Sequence, residues 1–161
     1  MTSEVAADIK KIAFQNVEEV LDFAVKSEEN ANRFYSEWAK KLINNPIQKV
    51  FEELAAEEMK HKEFLLGIKT GETLKPAEEE IIDLKISDYM LDVKASVDMD
   101  YQDALIVAMH REKMAFKLYN HLAEKTGDPG IKDTFTLLAQ QEAKHKLRLE
   151  MIYDEDILQE N

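Results

Sequence analysis

The strongest constraint on this chain is an apolar stripe that runs into charge and is then repeated. Ile47, Phe51, Leu54, Glu58, His61, Leu65 and Ile68 follow one another at alternating spacings of four and three. That is the period of a helix face turned toward a bundle core. Glu58 and His61 therefore point inward, where an uncompensated charge costs several kcal/mol. The same stripe recurs as Ile131, Phe135, Leu138, Glu142, His145, Leu149 and Ile152, each 84 residues after its counterpart. One Glu-x-x-His on a helix is a weak metal signal, because Glu is common on solvated helices; two copies in the same register are a strong one.

Two further stripes carry one charge each. Val17, Leu21, Ala24, Glu28, Ala31, Tyr35, Trp38 and Leu42 form the first, and Tyr101, Leu105, Ala108, Glu112, Ala115, Tyr119 and Leu122 the second. Superposed at the same offset, residues 21–68 and 105–152 need no gap, and they pair Glu28 with Glu112 and Tyr35 with Tyr119. Such self-similarity predicts two helix hairpins related by a pseudo-two-fold axis. Off the stripes the repeat fails: Glu29 meets Lys113, Glu57 meets Gln141, His110 meets Lys26 and His121 meets Glu37. These residues are read as surface. Tyr35 and Tyr119 have two readings, as core residues needing one hydrogen bond or as partners that hold a ligand carboxylate.

Caps and breakers set the helices. Asn16, with Glu19 three residues on, opens a helix over 16–42; Asn44-Asn45-Pro46 separates it from a second over 46–69, stopped by Thr70-Gly71. Asp100 caps a third over 101–126, and Gly127-Asp128-Pro129 leads into a fourth over 129–153. Residues 70–100 form a crossover long enough to join opposite ends of a bundle, and residues 3–13 stay unassigned. The expectation is a single all-α domain, a four-helix bundle of two repeated hairpins.

The composition restricts what such a bundle can do. A formal charge of −12 opposes nucleic-acid and anionic-membrane partners. With no Cys, the sequence cannot build a disulfide framework, a zinc ribbon or an iron–sulfur site. No apolar run has the length of a membrane span or a signal peptide, so a cytoplasmic setting is the expectation. Four inward carboxylates and two imidazoles need neutralisation, and no Lys or Arg joins the stripes. Either the acids are protonated and paired with His, or metal ions sit among them. Two divalent ions match four carboxylates in charge, and an oxygen-rich set suits iron or manganese better than structural zinc.

Glu28, Glu58-x-x-His61, Glu112 and Glu142-x-x-His145, with the two Tyr and the long middle connection, resemble the ferritin-like superfamily and in particular its rubrerythrin branch. The resemblance covers residues 16–153. It implies that Glu58 and Glu142 bridge two iron ions, with Glu28 and His61 terminal on one and Glu112 and His145 on the other. It further implies a non-haem di-iron oxidoreductase acting on peroxide or dioxygen, in a homodimer or larger homo-oligomer. Ferritin-like iron storage in a shell, a manganese pair that disproportionates peroxide, and a metal-stabilised bundle without turnover are the alternatives. Two departures matter. Rubrerythrins proper carry a cysteine-bearing rubredoxin domain, so here an external electron donor protein is required. They also carry a further carboxylate one turn after the third-helix Glu, where this chain has Ala115, and a six-ligand centre with little metal movement is expected.

Overall fold

A computed structural model describes residues 17–70 and 100–158. Within them lie four long helices: α1 (Val17–Lys41), α2 (Pro46–Thr70), α3 (Tyr101–Lys125) and α4 (Pro129–Tyr153), the last running into one π-helical turn, Asp154–Leu158. Each helix has 25 residues, which makes it about 37 Å long. Packing is dominated by the α1–α2 and α3–α4 hairpins. No helix among the described residues is long and apolar enough to cross a membrane. The Asn16 cap, the 3–13 stretch, Gly71 and the body of the crossover lie outside the described residues.

Side-chain oxygens terminate the helices where the sequence supplies them. Asp100 accepts from the Asp103 amide at 2.8 Å, and Asp128 accepts from the amides of Gly130 at 2.8 Å and Ile131 at 3.1 Å. These are among the amides that an α-helix leaves without an internal partner. Between α1 and α2 the chain reverses at Asn44, whose φ of 65° is a left-handed conformation that Asn tolerates better than most residues. Asn45 then accepts from the Ile47 amide at 2.9 Å. Gly127, by contrast, takes no left-handed turn. The α3 end is held instead by the Thr126 amide donating to the Leu122 carbonyl at 3.1 Å.

The stripes meet in a core divided in two. One cluster gathers Val20, Leu21, Ala24, Leu65, Ile68, Leu118, Leu122, Phe135 and Leu138; the other gathers Phe34, Trp38, Phe51, Leu54, Leu105, Val107, Leu149 and Ile152. Full burial of one such large side chain contributes about 1.5–3 kcal/mol. The buried polar and charged residues of the core, Glu28, Glu58, His61, Glu112, Glu142 and His145, lie on the same stripes at heights between these clusters, and none is more than 4% exposed.

Candidate metal centre

Helix periodicity alone turns the six residues inward, since each occupies the stripe position that its apolar neighbours define. The structure brings them into two overlapping groups. Glu28, Glu58, His61 and Glu142 form one, and Glu58, Glu112, Glu142 and His145 the other, with the ligand-type atoms of each group within 4.8 Å of one another. Glu58 and Glu142 belong to both.

Several buried atoms in these groups have no hydrogen-bond partner: one oxygen each of Glu28, Glu112 and Glu142, and Nδ1 of His61. Nδ1 of His61 lies 2.5 Å from Glu142 Oε1, but without the alignment of a hydrogen bond. Nδ1 of His145 lies 2.9 Å from Glu58 Oε1 and 3.5 Å from Glu112 Oε2. Buried polar atoms are normally satisfied. Orphan carboxylate oxygens and an orphan imidazole nitrogen converging within ligand distance are the donor set of a cation site, and they fit a pair of divalent metals.

Protonation carries the charge in the metal-free protein. Burial, reinforced by the neighbouring carboxylates, raises Glu58 and Glu142 well above the ordinary carboxylate range. Burial acts the same way on Glu112, but hydrogen bonds to Glu142, His145 and Tyr35 and the His145 charge outweigh it, and its carboxyl is held low. On His145 burial favours the neutral ring, yet Glu112 and Glu57 outweigh it and raise the imidazole. One carboxylate facing one imidazolium beside protonated acids is the low-charge alternative to bound metal.

The tyrosines cross between hairpins. Tyr35 on α1 donates to Glu112 Oε1 on α3 at 2.6 Å, and Tyr119 on α3 donates to Glu28 Oε1 on α1. Burial and the adjacent carboxylates raise both phenols well above their usual value, so both remain donors. Each fixes one oxygen of its carboxylate and leaves the other facing the centre.

Two residues read as surface turn out to touch the centre. The outward Nε2 of His145 meets Glu57 Oε2, and Nε2 of His61 meets Gln141 Oε1 at 2.6 Å. Reading the repeat by charge hid them, because Glu against Gln scores as a mismatch. Their shared shape and shared acceptor oxygen were the available signal. Glu29 does lie at the surface, 3.0 Å from Lys62, and His110 and His121 are exposed. Off the stripes, Arg111 stands half-buried with its guanidinium 5.1 Å from the Phe34 ring centre, so one cation does border the site. Its repeat partner is Ser27. Ala115 is half-buried against the apolar cluster, and no side chain there offers a seventh ligand.

Comparison with known proteins agrees with this arrangement. The sequence profile of the rubrerythrin family matches residues 19–153. A protein from Thermotoga maritima described as a ferritin-like diiron-carboxylate protein shares 23% identity and a TM-score of 0.71, covering 90% of this chain and 97% of its own. A hypothetical protein from Pyrococcus furiosus shares 25% identity and a TM-score of 0.70, covering 91% of this chain and 93% of its own. Among curated proteins none matches. Four helices in two hairpins, an inward Glu on α1 and α3, an inward Glu-x-x-His on α2 and α4, and a profile match over nearly all of that span place this chain in the rubrerythrin family, with a ferritin-like fold.

Proposed function

We propose that the chain is a non-haem di-iron oxidoreductase that reduces peroxide or dioxygen with electrons from an external donor protein. One observation carries the reading: the two ligand groups share Glu58 and Glu142 and leave each half one imidazole and one further carboxylate. In this reading Glu58 and Glu142 would be shared by two ions, Glu28 and His61 would hold one of them, and Glu112 and His145 would hold the other. A bound iron pair supplies the electrons that cleave an oxygen–oxygen bond.

The protein's part is positioning and exclusion of water. Tyr35 and Tyr119 keep their protons and aim Glu112 and Glu28, and the apolar clusters limit solvent on the two sides along the bundle axis. This sequence holds no Cys for a thiolate-bound iron, and the reading therefore assigns the electrons to an external donor protein. The reading takes the protein as cytoplasmic and as a homodimer or larger homo-oligomer, with assembly measured by size-exclusion chromatography; a cage would favour iron storage. A manganese pair is the second reading, because the same oxygen-rich donor set suits that ion.

Metal analysis of the isolated protein, followed by peroxide addition with and without reductant, tests the proposal. The expected outcome is two iron ions per chain and peroxide loss only when reductant is present. Donor-independent loss with bound manganese would replace the reading, and loss of neither peroxide nor dioxygen would reduce the centre to a structural one.

A further inference from the structure

The two halves of the centre are alike toward the carboxylates and unlike behind the imidazoles. Both rings turn Nδ1 inward, to 2.5 Å from Glu142 for His61 and 2.9 Å from Glu58 for His145. Both turn Nε2 outward, onto the side chain that the repeat places at equivalent positions: Glu57 behind His145 and Gln141 behind His61. An imidazole whose outer N–H donates to a carboxylate is a stronger metal donor than one donating to an amide, and loss of such a partner weakens metal binding by about 10–100-fold. Hydrogen bonds to an ionised acceptor are also roughly twice as strong as neutral ones. The Glu57 side chain is 45% exposed, so solvent screening places the effect at the lower end of that range.

We propose that the two metal positions fill in order, the Glu112/His145 position before the Glu28/His61 position, and that Glu57 against Gln141 sets this order. The inference rests on the dimetal reading but not on any activity. Glu57 and Gln141 are positioning residues, acting through His145 and His61. Their isosteric shapes make them exchangeable: the swap moves one charge from behind one ring to behind the other and leaves packing and hydrogen-bond count unchanged. The two ligand groups themselves are identical in residue type; Arg111 against Ser27 is the other difference beside them, and it is the same in every variant compared below.

Anaerobic titration of metal-free protein with Co(II) tests the proposal, with bound metal counted by elemental analysis and each position followed through the paramagnetic shifts of histidine nitrogens. Replacing the exposed His110 and His121 by Gln leaves only the two rings of interest. The first equivalent is expected to shift His145 in preference to His61 by about tenfold. Glu57→Gln should bring that preference close to one, and Glu57→Gln with Gln141→Glu should invert it. Two ions binding without preference, a Glu57→Gln variant that weakens both positions equally, or a double variant that still fills His145 first would each overturn the ordering while leaving the dimetal centre intact. A total of one ion or none would overturn the centre, and the ordering with it.

Discussion

The two hairpins are copies in one layer and strangers in the next. Residues 28, 58 and 61 face the centre as their counterparts 112, 142 and 145 do, and the tyrosines reciprocate across the bundle. One position away the halves part: Glu57 against Gln141, and Ser27 against Arg111. Farther out, on α2 and α4, Arg148 pairs with Glu53 at 2.7 Å, while the equivalent positions hold Phe64 and Leu137, 50% and 48% exposed. The difference shows where divergence is cheap. Every inward Glu belongs to one or both of the buried ligand groups, so changing it unbalances the whole buried layer. An outer residue alters the strength of one contact.

Removing a shared carboxylate should break the comparison most completely. Glu58→Ala or Glu142→Ala is expected to lose both metals, whereas Glu29→Ala keeps both, as metal analysis of purified variants would report. Equal losses in all three would mean that the shared position has no special standing. The metal-free Glu58→Ala protein should nonetheless fold, because it carries one buried acid fewer.

The next effect is on pH dependence. Glu58 and Glu142 hold protons to higher pH in the folded than in the unfolded chain, so the stability they contribute is present in acid and lost as pH rises through their raised folded values. His145, also raised, acts in the same sense at higher pH. Glu112 is held low, so its contribution is present above the ordinary carboxylate range and lost only on acidification. The metal-free protein should therefore lose stability as pH rises above the ordinary carboxylate range. Metal binds the deprotonated ligands, so the stabilisation it provides should grow over the same range. Thermal unfolding with and without metal measures both trends, and a metal-free melting temperature that climbs with pH would contradict the assignment of protons to Glu58 and Glu142.

Tyr35→Phe and Tyr119→Phe sharpen the likeness of the halves. Each leaves a buried carboxylate oxygen without its donor, at a cost of about 1–3 kcal/mol, and denaturant unfolding should give two similar values. A large inequality would show that Arg111, on one side only, shares the load of Glu112. Smallest of all is Arg148→Ala. Its ion pair with Glu53 is exposed, and the expected change is below about 1 kcal/mol.

Helix faces, the repeat and the inward position of all six charged residues were legible in the sequence because they follow from a local period, 3.6 residues per turn, applied to a stripe that appears twice. One copy would have left Glu57 and Glu58 hard to rank; the second singled out Glu58. What the stripe could not carry was contact between helices. Tyr35 with Glu112, Tyr119 with Glu28, Gln141 with His61 and Glu57 with His145 join residues 77 to 91 positions apart. Those pairings depend on how far each helix is rotated and how closely α1 approaches α3 and α2 approaches α4. Periodicity assigns a residue to a face, and Glu57, at the margin of its face, counted as surface by that measure alone. Only the packed bundle set a histidine from the opposite hairpin against it, because the width of an interhelical seam is fixed by all the side chains that fill it.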